Sequence, residues 1–381
     1  MDIQTAQSTL PNPILRVLYL AFELGQQQYK LGFTTGLGQQ PRIRTITARD
    51  VAALQREIQL ACQRFSLPET TAVLSCYEAG RDGFWLHRFL QAQGIANLIV
   101  DSASIEVNRR ARRTKTDRLD AGKLLTMLIR YHLGEHQVWR IVNVPEAEVE
   151  DSRHLHRELA SLKRDRTRHI NRIKGWLTGQ GVSMLVDKDF LNQLGKQRMW
   201  NGQSLPANLR IRLEREFERM ELVNHHIELL DTQRRKLVRT SDQPCVAQVR
   251  QLLRLRGIGF NSAWLFVMEF FSWRAFRNRR EIGALAGLTP TPFQSGNTNQ
   301  EQGISKAGNR HIRALAIEIA WCWLQFQPTS ELSLWYQKRF GHGSSRVRRI
   351  GIVALARRLL IELWRYLETN QPPPGAVLSP S

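Results

Sequence analysis

The chain has 381 residues, with 55 Lys plus Arg against 34 Asp plus Glu and a formal charge of +21. That length suggests two or three domains, and 42% hydrophobic residues are enough to build real cores. The charge calls for a polyanionic partner, nucleic acid ahead of an anionic membrane, and says nothing of fold. No apolar run approaches the ~18 residues of a membrane span, so no membrane partner is expected. Met1 to Leu10 lacks a secretory pattern. Cys62, Cys76, Cys245 and Cys322 are scattered, forming neither a zinc pattern nor a disulfide framework, which points to a reducing, cytoplasmic setting.

In chain order, Val17 to Phe22 is an apolar run suited to a buried strand, and the polar stretch Gly25 to Gln28 connects it to a second strand over Tyr29 to Thr34. Arg42 to Ile46 is a third strand. Apolar residues at helical spacing follow over Thr47 to Phe65. Ala72 to Tyr77 is a strand, Asp82 caps a helix over Gly83 to Gln93, and Asn97 to Val100 is another strand. A helix then runs from Asp117 to about Leu133. Such an order, β-β-β-α-β-α-β-α, places ligand-binding residues at strand ends. Tyr19, Tyr29 and Tyr77 lie in strands and belong to the core.

The middle of the chain changes character. Leu155, Leu159, Leu162, Ile170, Ile173 and Leu177 form one stripe, and Leu209, Leu213, Phe217, Met220, Val223, Ile227, Leu230 and Leu237 a second. Alternating intervals of three and four predict a coiled coil or long paired helices, either with each other or, as the preferred expectation, between subunits. The histidine pairs His154/His156 and His225/His226 fall on what reads as solvated helical face. From Val246 a helix ends in Gly257-Ile258-Gly259 and another begins, resembling a helix-hairpin-helix whose amides suit a phosphate. A simple helix–helix turn fits equally. Gln294 to Gly303 is a polar loop, Ile312 to Phe326 an apolar helix, and Arg346 to Arg365 a basic one; the Pro-rich tail after Gln371 is expected to be disordered.

Chemistry concentrates in Lys115-Thr116-Asp117-Arg118-Leu119-Asp120, preceded by Arg109, Arg110, Arg112 and Arg113. Residues three apart share a helix face, so Asp117 and Asp120 can address one hard cation. A solvated helix with Asp–Arg pairs is the plainer reading of the same hexapeptide. Glu23 and Glu78 each follow an apolar strand, where a carboxylate needs solvent, a partner or a metal. Four acids on one sheet edge suit Mg²⁺. The basic runs at Arg109–Arg113, Arg164–Arg172, Arg274–Arg280 and Arg346–Arg349 together make an extended nucleic-acid surface.

The order strand–Glu23, strand–Glu78, then Asp117 and Asp120 resembles the RuvC-like DEDD domain of the IS110-family transposases, in particular the IS1111 branch. Gly287-Leu288-Thr289-Pro290, Ser295-Gly296 and Ile304-Ser305-Lys306-Ala307-Gly308-Asn309 with Arg313 resemble the same family's C-terminal domain. The resemblance covers roughly Val17 to Gln337. One departure stands out: Glu23 occupies the place of the usual Asp. The resemblance implies an α/β RNase H-like (RuvC-like) N-terminal domain over 1–140, a helical coiled-coil spacer over 141–242, a mainly α C-terminal domain over 243–366, and a tail over 367–381. It implies that Glu23, Glu78, Asp117 and Asp120 hold Mg²⁺ and that Ser295 is the nucleophile of DNA strand exchange. Nucleic acid would be gripped by Arg109, Arg110, Arg112, Arg113, Lys115, Gly257, Gly259, Ser305, Lys306, Asn309, Arg310 and Arg313. The implied partners are donor and target DNA, an element-encoded noncoding bridge RNA, and further copies as a homodimer or homotetramer. The implied location is the bacterial cytoplasm, with nucleoid association on DNA. Two rivals use the same residues differently: a RuvC-like junction resolvase with metal-activated water, in which Ser295 is dispensable, and a non-catalytic nucleic-acid-binding scaffold.

Overall fold

A computed structural model describes residues 16–105, 117–295 and 298–379; for 103, 117–120, 292–295 and 298–302 it describes the backbone alone. The chain divides into two compact units, Met1–Val144 and Pro145–Ser381.

In the first unit, β1 (Val17–Leu24), β2 (Gln28–Thr34), β3 (Arg42–Thr47), β4 (Ala72–Glu78) and β5 (Ala96–Val100) form one sheet in the order β3-β2-β1-β4-β5. The first three strands are antiparallel neighbours, and β4 and β5 run parallel to β1. β1 is a nearly continuous apolar run because both its faces are covered. Leu18, Leu20 and Phe22 enter the core beneath α1 (Val51–Arg64) and α2 (Trp85–Ala92). Val17, Tyr19 and Ala21 enter the opposite core with Leu124, Leu125 and Leu128 of α3 (Asp117–His132). Tyr19, Tyr29 and Tyr77 are buried. This mixed sheet with helices on both faces is the N-terminal architecture expected from the RuvC-like resemblance.

One local expectation fails. Asp82 does not cap α2, whose N-cap is Phe84. Gly83, at φ +65°, turns the chain between them, and Asp82 is drawn instead to Tyr29, Arg49 and Arg81.

The second unit opens with α4 (Ala147–Thr178), followed by α5 (Phe190–Leu194) and α6 (Ala207–Thr240). Ile173 and Leu177 pack with Leu213, Phe217 and Met220, while Leu159 packs with Ile227 and Leu230, so α4 and α6 lie antiparallel. The two apolar stripes are thus used against each other within one chain, where the preferred expectation had set them against another subunit. Glu216 is buried in this seam, held by His169 at 2.7 Å, Arg172 at 2.7 Å and Arg219 at 3.0 Å.

Beyond it come α7 (Pro244–Leu253), α8 (Phe260–Phe266) continuing as a π-turn over Val267–Phe271, α9 (Arg279–Leu285), α10 (Arg310–Phe326), α11 (Glu331–Tyr336) and α12 (Ser345–Thr369). Trp264, Phe266, Phe270, Trp323 and Leu359 stand at the centre of their shared core. Three expectations are corrected here. The polar loop is a hairpin, β6 (Pro290–Ser295) and β7 (Thr298–Ile304), so this region is not helical throughout. The tail is docked, not disordered: Val377 N–H donates to Gln327 Oε1 at 2.6 Å, Ser379 N–H to the Arg254 carbonyl at 2.7 Å, and Leu378 bridges Leu255. His156 is not solvated; it is buried, with Nε2 at 2.8 Å from Glu269, since a buried carboxylate gathers every donor in reach.

Candidate active site

Phe22 pairs with Tyr77 in the parallel β1–β4 register. The next residues, Glu23 and Glu78, therefore stand abreast where the two strands end. Side chains alternate along a strand, so both carboxylates belong to the face of Ala21 and Cys76, opposite that of Phe22 and Tyr77. Glu23 and Glu78 are among the residues lining a cleft of ≈ 370 Å³ at the strand ends, with Phe22, Tyr77, Arg81 and Asp82. Cys76, fully buried beneath, has its thiol pushed well up, first by burial and then by the charge of Glu78.

Helix α3 covers the same face. His132 Nδ1 lies 2.8 Å from the Tyr19 hydroxyl, Leu124 O lies 4.0 Å from Cys76 Sγ, and Leu125 sits against Gly32. Moving back along the helix from His132 to Leu124 thus moves forward along the strands from Tyr19 to Cys76. The helix runs against β1 and β4, and its first turn, where Asp117 and Asp120 stand, heads toward the strand ends that carry Glu23 and Glu78. The side chains of Asp117 and Asp120 lie outside the described residues. Among the described residues no three His, Cys, Asp or Glu side chains converge as a metal-ligand set.

The cleft rim carries a second feature that sequence reading missed. Asp82 is buried, with its side chain 3% exposed, and accepts from the Tyr29 hydroxyl at 3.0 Å. Arg49 and Arg81 reach the same carboxylate at 3.4 and 3.6 Å. Burial, then the hydrogen bond and charge of Asp82, push the Tyr29 phenol up to about 12. Only the isolated acid after a strand could have signalled Asp82; two of its partners, Tyr29 and Arg49, are distant in sequence.

Ser295 belongs to the second unit, as the last residue of β6, opposite Thr298 of β7. The base of this hairpin is built by the two glycine-bearing motifs. Gly287 has φ +68°, and a Cβ there would collide with the Ala307 carbonyl and the Arg313 guanidinium. Gly308 has φ +110°, and a Cβ would strike the Leu285 carbonyl. Ser305 N–H donates to Thr289 O at 2.8 Å, and Arg313 Nη1 to Lys306 O at 2.9 Å. Asn309 caps α10, accepting from the N–H groups of His311 and Ile312. Asn309 and Arg313 thus have internal tasks that the sequence did not announce, while Arg310 is exposed on the first turn of α10. Lys306, at φ +54°, turns the chain between β7 and the helix.

The Gly257-Ile258-Gly259 turn does join two helices, with Gly257 at φ +90° facing Phe326 and Ile258 buried. Arg109, Arg110, Arg112, Arg113 and Lys115 lie outside the described residues.

Residues 40–181 match a transposase family of the DEDD, IS110 type, and residues 249–334 match the family described as Transposase IS116/IS110/IS902. The chain is 37% identical over 385 residues to the Sinorhizobium fredii protein named "Putative transposase y4rJ", covering 96% of this chain and 95% of that one. The chain belongs to the IS110 family of transposases. Similarity extends to the transposase for insertion sequence element IS1111A of Coxiella burnetii, 25% identical over 296 residues, with 77% of this chain and 76% of the other covered. The transposase for insertion sequence element IS1533 of Leptospira borgpetersenii is 22% identical over 312 residues, covering 80% and 84%.

As an IS110-family transposase the protein acts in DNA recombination and carries a DEDD domain at its N-terminus. Glu78, Asp117 and Asp120 fall within the first matched stretch and Ser295 within the second, whereas Glu23 precedes both. No described helix of this transposase is long and apolar enough to cross a membrane.

Proposed function

We propose that this transposase cuts and rejoins DNA with a serine nucleophile, Ser295, at a Mg²⁺ site formed by Glu23, Glu78, Asp117 and Asp120. The reading is carried by the position of Glu23 and Glu78, each one residue beyond the paired Phe22 and Tyr77 of adjacent parallel strands, on the sheet face covered by the helix of Asp117 and Asp120. The donor set fits the ion: hard carboxylate oxygens beside a cleft with room for water, as Mg²⁺ prefers. When bound, the ion would supply Lewis-acid stabilisation of charge on phosphoryl oxygens. The four carboxylates would fix its position, and Gly287, Gly308 and Arg313 would hold the hairpin that presents Ser295. In the transfer, a bond forms between Ser295 Oγ and phosphorus while a phosphorus–deoxyribose oxygen bond breaks. The serine proton ends on the departing oxygen. The phosphoserine linkage conserves the broken ester, so rejoining needs no nucleotide cofactor.

The finer features follow the family. Residues 141–242 act as a coiled-coil spacer between a DEDD domain and a C-terminal domain at 243–366. A noncoding RNA of the element pairs with donor and target DNA, and subunits assemble as dimers and tetramers in the bacterial cytoplasm, on the nucleoid. Ser305, Lys306, Arg310 and the Gly257–Gly259 turn, with the arginines at 109–113, would contact phosphates.

The test is a pair of variants on donor DNA with the element's RNA and Mg²⁺. Ser295→Ala should abolish the covalent protein–DNA adduct and strand exchange, and Asp117→Asn should abolish cleavage. Full cleavage by Ser295→Ala would point to metal-activated water; Mg²⁺-independent DNA binding without cleavage by the parent protein would point to a scaffold.

A further inference from the structure

We propose that Arg49 and Arg81, aimed by Asp82 and Tyr29, form a phosphate-gripping pair on the rim of the Glu23/Glu78 cleft, taking the phosphodiester backbone of the strand that lies there. The inference rests on the reading of that cleft as the cutting site.

The cluster has the charge arithmetic for an anion. One carboxylate, Asp82, serves two guanidiniums at 3.4 and 3.6 Å, so one positive charge remains uncompensated within the group. The exposures are opposite in kind. Asp82 is buried with its side chain 3% exposed, whereas Arg49 and Arg81 are 58% and 53% exposed. An ion pair serving stability alone gains little from half-exposed guanidiniums, since water screens them. A buried carboxylate fixed by a tyrosine hydroxyl instead makes a rigid anchor that restricts two long side chains, lowering the entropy they give up on meeting a ligand. Arg49 adds a backbone observation: it stands at φ +68°, a region that non-glycine residues enter at a cost and that concentrates where side chains are presented for function. It lies in the turn before α1, far in sequence from Arg81, and Asp82 brings the two guanidiniums to one carboxylate oxygen pair.

The placement supplies the ligand class. Arg81 and Asp82 line the same cleft as Glu23 and Glu78, on the side of the strand ends where Phe22, Tyr29 and Tyr77 pack, so they flank the two carboxylates across the edge of the sheet. A strand approaching those carboxylates brings a row of phosphates that the acids repel, and the rim must provide compensating positive charge. Guanidiniums match phosphate oxygens through paired N–H donors.

The experiment uses the full chain, a short labelled DNA duplex and fluorescence anisotropy across a salt series. Arg49→Gln/Arg81→Gln is compared with Arg56→Gln/Arg64→Gln, which removes the same charge from the exposed side of α1. The rim pair should weaken binding on the order of ten-fold at physiological salt and flatten the salt slope by about two, one for each phosphate no longer held, while the α1 pair stays near the parent. Equal weakening in the two double variants, or none in the rim pair, overturns the proposal. Asp82→Asn separates aiming from charge. It removes a negative charge, which by electrostatics alone tightens binding to DNA; without the anchor binding should weaken, and tighter binding overturns the role of Asp82. Circular dichroism checks that each variant folds. A Mg²⁺-dependent thermal shift in the parent, absent from Glu78→Gln, reports on the cleft by itself. Failure to see that shift in the parent would count against the metal reading and leave the rim judged by the binding series.

Discussion

Phe22 and Tyr77 meet edge to face across the β1–β4 pair, their ring centroids 6.4 Å apart, and so lock the register that puts Glu23 beside Glu78. A slip of one residue would turn one carboxylate to the other face of the sheet, because the side-chain period of a strand is two. The apolar contact on one face thereby fixes the polar pair on the other.

Glu78→Gln keeps the shape of that pair and removes one charge from the set proposed to hold Mg²⁺. DNA cleavage should fall by on the order of 10²-fold or more, with DNA affinity retained or slightly raised. Single-turnover cleavage against Mg²⁺ concentration is the measurement, and unchanged metal dependence would remove Glu78 from the site.

Gly287→Ala tests the base of the Ser295 hairpin. The new methyl meets the Ala307 carbonyl and the Arg313 guanidinium, at a residue whose φ is +68°. Left-handed strain and overlap together should cost roughly 2–4 kcal/mol, read as a lower midpoint in urea denaturation at unchanged slope. Strand exchange should fall further than stability accounts for at a temperature where the variant is folded.

Glu269 sets a pH dependence. Burial alone would raise its carboxyl, but hydrogen bonds from His156 and Arg157, with the charge of Arg157, hold it far below the usual carboxylate range. A group depressed in the folded state binds its proton more readily when unfolded, so its stabilisation is present above the ordinary carboxylate pKa and is lost as pH falls toward the folded value. Unfolding free energy should therefore decline from about pH 5 downward, and Glu269→Gln should flatten that decline. At neutral pH the substitution leaves buried Arg153 without its counter-charge, at a cost of about 3 kcal/mol.

Gln327→Ala should release the C-terminal segment. The Gln327 amide, wholly buried, donates to the carbonyls of Arg256 and Val377, each at 2.8 Å, and accepts from the Val377 N–H at 2.6 Å. Its removal leaves backbone groups unpaired, at roughly 1–3 kcal/mol. Hydrogen exchange at Val377 and Ser379 should quicken while exchange in β1 stays unchanged.

The strands, the long helices and the succession of acids are legible in the residues alone, because each rests on local periodicity. The unbroken apolar run of Val17 to Phe22, the stripes through Leu159 and Ile227, and the spacing of Asp117 and Asp120 need no distant neighbour to be read. Folding in three dimensions settled whatever depends on remote partners. Asp82 looks like a helix cap until Tyr29 and Arg49 arrive from other strands and turns. His156 looks solvated until Glu269 approaches across more than a hundred residues. The tail looks disordered because its composition offers little to bury, yet Gln327 and the backbone of Arg254 and Arg256 supply hydrogen bonds that hold Val377 and Ser379. Burial makes a polar group seek a partner wherever one lies in space, and a sequence records that partner only by its absence from the neighbourhood.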